Sequence, residues 1–134
     1  MQSELLLYPL LSHILWVVAL YTLLTVFRAP AVWNIGSARK NDSRWKSLES
    51  KISANLSNQF EWPVLFYLIC ILIMSTHQSI NPLYIWLAWV FVFGRLLHSA
   101  VQVLTGNIRL RGVVFTINFL AVLAMWFFYF VDNA

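Results

Sequence analysis

Residues 52–76 read ISANLSNQFEWPVLFYLICILIMST, a polar half followed by an apolar half. The continuous apolar part, 62–75, is only 14 residues long, whereas a helix needs about 20 to cross the hydrocarbon core of a bilayer. Pro82 and the polar turn from His77 block extension at its far end. A spanning helix must therefore start earlier, near Ile52, and carry polar residues to membrane depth. Asn55, Asn58 and Glu61 lie three apart and form a stripe on one helix side. Such groups are costly in a membrane unless they face protein or a water-filled cavity. Pro63 removes a backbone donor, frees the Gln59 carbonyl and favours a kink just after the stripe.

Three other apolar stretches flank this one. Residues 5–27 carry no formal charge, 83–104 are interrupted by Arg95 and His98, and 112–131 are apolar. With 60% hydrophobic and 10% charged residues in 134, a water-soluble domain is excluded, because so short a chain still exposes much of its surface. The first stretch lacks a basic leader and a cleavage site, so a retained helix is expected rather than a signal peptide. The expectation is an all-α membrane protein, a single domain of four helices in up-down order, with spans of about 5–27, 52–76, 83–104 and 112–131.

The net charge of +4 could suggest nucleic acid, but eight of the nine Lys and Arg lie in 28–51 and 105–111. By the positive-inside rule those segments are cytoplasmic and both termini are outside. They also suit contact with anionic lipid headgroups. No nucleic-acid partner is needed to explain the charge. The short connections suit a bacterial inner membrane.

The ninth basic residue, Arg95, shares a helix face with His98 and Gln102. The second and third spans run antiparallel, so residues at equal depth share an index sum. Glu61 with Arg95 and Asn58 with His98 both sum to 156. At about 1.5 Å per residue these layers lie roughly 15 Å from the cytoplasmic helix ends. A Glu61–Arg95 ion pair inside the bundle is expected, since a lone charge there is strongly disfavoured. It could hold a ligand or simply lock two helices. His13, in an apolar helix, is expected to bond a neighbouring helix. The lone Cys70 cannot form an internal disulfide and is expected to be inert packing. Three histidines on separate segments, with no carboxylate at ligand spacing, do not point to metal.

The segment Asn58-Gln-Phe-Glu61-Trp-Pro63, opening an apolar helix after a basic loop, resembles the N-x-x-E pattern of the MAPEG family, membrane-associated proteins of eicosanoid and glutathione metabolism. Gly94-Arg95-Leu-Leu-His98 resembles that family's G-R-x-x-H pattern in the third helix. The resemblance covers nearly the whole chain. It implies a homotrimer of four-helix protomers that binds glutathione between subunits and acts on hydrophobic small molecules. It implies cosubstrate contacts for Arg28, Asn58, Glu61, Arg95 and His98, and thiolate stabilisation by Arg111. A thiol becomes nucleophilic at neutral pH when a cation stabilises its anion. The chain departs from the pattern in having Ala54 and Gln102 where arginine and tyrosine are usual, and Gly112 and Phe115 where the eicosanoid synthases have serine and tyrosine.

Three functions are therefore weighed. The first is a glutathione- or other thiol-dependent transferase or peroxidase of lipophilic electrophiles. The second is a non-catalytic relative whose Glu–Arg pair is a structural clasp. The third is a small proton-coupled exporter with Glu61 as relay, against which stands the absence of a carboxylate in 5–27.

Overall fold

The computed structural model describes residues 3–34, 42–76 and 81–134; Arg39 and Lys40 of the basic loop, and His77 of the opposite turn, lie outside the described residues. A 3-10 turn, Ser3–Leu6, leads into α1 (Leu7–Val32). Asp42 accepts from the Arg44 backbone N–H at 2.9 Å and so caps α2 (Ser43–Ser57). Helix α3 (Pro63–Thr76) begins on proline, whose missing donor costs nothing at a first helical position. Asn81 accepts from Leu83 N–H at 3.0 Å and opens α4 (Pro82–Leu104). Asn107 accepts from Leu110 N–H at 3.0 Å and opens α5 (Ile108–Asp132).

The second span is thus two helices. Between α2 and α3 lies a 3-10 turn, Asn58–Phe60, and Glu61 leaves helical geometry at φ −95° and ψ −102°. The kink expected at Pro63 is present, and helical bonding restarts with Val64 N–H to Glu61 O at 3.2 Å. Helix α2 starts at Ser43, nine residues before Ile52, so the last part of the basic segment is helical.

Among the described residues, four helical spans are long and apolar enough to cross a membrane: Glu4–Val32, Ser43–Thr76, Pro82–Leu104 and Ile108–Asp132. Their outer surfaces are apolar, with Leu15 at 68%, Trp86 at 71% and Phe127 at 63% exposure. Lipid, not water, is the solvent such a surface fits. The protein is a four-span, up-down helical bundle integral to a membrane.

Inside, apolar packing comes in two blocks. Phe66, Ile69, Cys70, Ile73, Phe91 and Met125 centre the larger one, and Leu20, Leu24, Ile52 and Leu56 form the smaller. Cys70 is fully buried, as packing requires. Buried polar groups, including His13, Asn55, Gln59, Arg95 and Ser99, add a third kind of interior contact.

Helices α4 and α5 touch at Gly94. A Cβ added there would stand 1.8 Å from Asn118 Oδ1, and Asn118 is fully buried. Gly94→Ala should therefore lower stability by about 1–3 kcal/mol, read as a lower unfolding temperature in detergent. Adding Asn118→Ala should restore most of the loss. A Gly94→Ala protein as stable as wild type would show that the Asn118 amide, which has no hydrogen-bond partner, turns aside at little cost.

Candidate functional site

Asn58, Glu61, Arg95, His98 and Arg111 line one cleft of about 680 Å³, together with Ala54, Trp62, Gln102, Gly112 and Phe115. The residues come from three places: the break between α2 and α3, the middle of α4, and the first turn of α5. The helix break puts Asn58, Glu61 and Trp62 on the cleft wall, where Asn58 meets Gln102 of α4 and Trp62 stacks on Phe119 of α5. The 3.6-residue period of α4 puts Arg95, His98 and Gln102 on the facing side. Asn58 Nδ2 donates to Gln102 Oε1 at 3.2 Å, so its nearest polar partner is Gln102 rather than His98.

The expected Glu61–Arg95 ion pair does not form. Glu61 is exposed, and the salt bridge found among the described residues is Arg28–Glu49 at 3.1 Å. The equal-depth reckoning assumed an unbroken α-helix through residue 61. The 3-10 turn and the non-helical Glu61 change the rotation of the chain at that point. Gln59 takes the inward position instead, 1% exposed. Arg95, also 1% exposed, donates to Gln59 Oε1 from Nε at 3.2 Å and from Nη2 at 3.0 Å. Its Nη2 also donates to the Asn58 carbonyl at 2.9 Å, within the 3-10 turn.

Gln59 is the centre of a wider network. Its Nε2 donates to Asn55 O at 3.2 Å and to Asn55 Oδ1 at 3.1 Å, so its Oε1 faces Arg95 and His13. His13 Nε2 lies 3.2 Å from that oxygen, and its Nδ1 lies 2.6 Å from Tyr67 Oη. A carbonyl oxygen only accepts, so in the neutral ring Nε2 carries the proton and Tyr67 donates to Nδ1. The bond expected between His13 and a neighbouring helix is thereby accounted for. Ser99 Oγ donates to Asn55 Oδ1 at 3.1 Å and accepts from Trp16 Nε1 at 3.2 Å. Sequence reasoning overlooked Gln59, Tyr67 and Ser99 as partners. Gln59 carried a signal, being polar at membrane depth and four residues from both Asn55 and Pro63.

Two polar atoms on the cleft residues are buried with no partner: Trp62 Nε1 and His98 Nδ1. Arg111 reaches the cleft as an exposed cation from the first turn of α5, beside the positive end of that helix dipole. The cleft thus offers two guanidinium groups, the free indole N–H of Trp62 and an imidazole nitrogen of His98 against one carboxylate, Glu61. That composition favours a ligand that accepts hydrogen bonds and carries negative charge. Arg28 is not among the cleft residues. Its Nε meets Glu49 at 3.1 Å and its Nη2 donates to Ser53 Oγ at 3.2 Å, tying α1 to α2.

A family model described as MAPEG family matches residues 6–131. No curated protein and no solved structure matches the chain.

Proposed function

Because this chain belongs to the MAPEG family, we propose that it is a membrane-embedded transferase or peroxidase that uses glutathione or another thiol against lipophilic electrophiles. The observation that carries this reading is the convergence of Asn58, Glu61, Arg95, His98 and Arg111 on one cleft. Glutathione is the cosubstrate that family members generally use, and its carboxylates and thiolate suit a cleft with surplus positive charge. In this reading Arg111 stabilises the thiolate, because a guanidinium keeps its charge at every working pH. Asn58 and Glu61 bind polar parts of the cosubstrate, and Arg95 and His98 take an anionic end. The electrophile enters from the lipid, which surrounds the apolar outer faces. A homotrimer, as the family resemblance implies, would let Arg28 of one protomer approach a neighbour's cleft. Loop residues 28–51 and 105–111 face the cytoplasm on their surplus of Lys and Arg, and both termini face the other side; a bacterial inner membrane suits the short connections.

The experiment is thiol-dependent turnover of a chromogenic electrophile by the purified protein. Turnover that saturates with glutathione supports the reading; no binding of any thiol at millimolar concentration refutes it.

One observation favours a non-catalytic relative. Arg95 is held by acceptors wholly internal to the protein, Gln59 Oε1 and Asn58 O, which is what a structural clasp requires. The clasp is then Gln59–Arg95 rather than Glu61–Arg95. It predicts a stable, assembled protein that neither binds nor turns over thiols.

A further inference from the structure

We propose that Gln59 is a positioning residue that orients Arg95 without forming an ion pair with it, so that the ligand supplies the anion in direct contact. The inference rests on the thiol-binding reading of the same cleft and assigns a specificity role to a residue that does not line it.

The Oε1 of Gln59 receives Arg95 Nε and Nη2 and His13 Nε2, which saturates it. Its own Nε2 is committed to Asn55, so the amide cannot turn over without placing donors against donors. Gln59 thereby fixes the guanidinium plane. Both acceptors on Arg95, this amide oxygen and the Asn58 carbonyl, are uncharged. A carboxylate here would have been the usual solution for a buried cation. Among the described residues Arg95 Nη1 has no acceptor, and Arg95 lines the cleft. A cation at this depth, 1% exposed, bonded among the described residues only to neutral oxygens and opposed by Glu61 only through the field across the shared cleft, favours an incoming anion. A carboxylate at residue 59 would take that place permanently.

The discriminating variant is Gln59→Glu. It is nearly isosteric, and its second oxygen has a donor to hand. Asn55 Nδ2 is buried without a partner and reaches that oxygen if the Asn55 amide flips, while a turn of the carboxyl must draw the oxygen away from the Asn55 backbone carbonyl, which accepts from Gln59 Nε2 in the wild type. The Ser99 hydroxyl, which accepts as well as donates, can follow that flip. A purely structural role for Gln59 therefore predicts that Gln59→Glu is stable and binds anions like wild type. The positioning role predicts that it is stable and does not.

The test is thermal unfolding of the purified full-length protein in detergent, titrated with glutathione sulfonate and separately with sulfate. General salting effects are common to both variants and drop out of the comparison. Wild type should be stabilised by each anion, with half-saturation at least about tenfold lower than in Gln59→Glu, since a buried charge pair is worth a factor of this order or more. Equal anion responses in the two proteins overturn the inference. If wild type responds to sulfate but not to glutathione sulfonate, the thiol reading fails while the anion role of Arg95 stands, provided Gln59→Glu loses the sulfate response. If wild type responds to neither, both fail. Should Gln59→Glu not fold, Gln59→Asn serves in its place: it keeps the charge balance but shortens the clamp, and must weaken anion binding or the positioning claim falls.

Discussion

Gln59→Leu should destabilise the protein by about 3–5 kcal/mol, the usual cost of removing one partner from a buried charged group. The substitution is close in volume, so packing contributes little. What it removes is the acceptor for two donors of Arg95 and for His13 Nε2–H. It also removes the donor to Asn55. In water such groups would be rehydrated. Here Arg95 and His13 are 1% and 0% exposed inside a membrane bundle, and only the cleft side offers relief. The Asn58 carbonyl remains as a single acceptor for the guanidinium. The measurement is unfolding in mixed micelles with increasing sodium dodecyl sulfate. A Gln59→Leu protein within about 1 kcal/mol of wild type would mean that water reaches Arg95 freely and that the network contributes only an ordinary hydrogen bond. Gln59→Glu, which retains an acceptor, should not show the loss. The two variants together separate a missing partner from a changed charge.

Arg111→Ala should lower thiol-dependent turnover by about 10²–10³-fold, the range seen when one preorganised group facing a developing or stabilised anion is removed. Arg111 is exposed in the first turn of α5 and its side chain has no partner among the described residues, so stability should change by less than about 0.5 kcal/mol. Kinetics of the variant should show the loss chiefly in kcat/KM at low pH, where thiolate is scarce. The deficit should shrink as pH approaches the free-thiol pKa of about 8.5, because added alkali then does what the arginine did. Arg111→Lys should recover part of the rate, since charge without the guanidinium fork keeps the electrostatic share. A variant that turns over like wild type would remove Arg111 from the chemistry.

The residues of the cleft were largely legible in the chain, though not their contacts. Type and spacing single out Asn58, Glu61, Arg95 and His98, the family resemblance adds Arg111, and all five line one cavity. Polar side chains in apolar stretches are conspicuous because membrane insertion makes each one costly. Their pairing was not legible. Index sums treat the second span as one continuous helix, whereas a 3-10 turn at Asn58–Phe60 interrupts it. Past that turn Glu61 is exposed, while Gln59 within it faces the interior. Asn118 against Gly94 was equally invisible, since nothing in one dimension brings residues 94 and 118 within 2 Å of a missing Cβ.

By itself, then, the sequence determined the number of spans and the presence of a polar layer within them. Those properties follow from hydropathy summed along the chain, where each residue contributes nearly independently. Only the tertiary structure decided that Arg95 is clamped by neutral oxygens and that its charge remains open to the cleft. That outcome depends on the backbone path through the break before Pro63 and on donors from α1 and α4 meeting one amide. Hydrogen bonds are short and directional, so partner choice is set by ångström-scale geometry that span-length hydropathy cannot resolve.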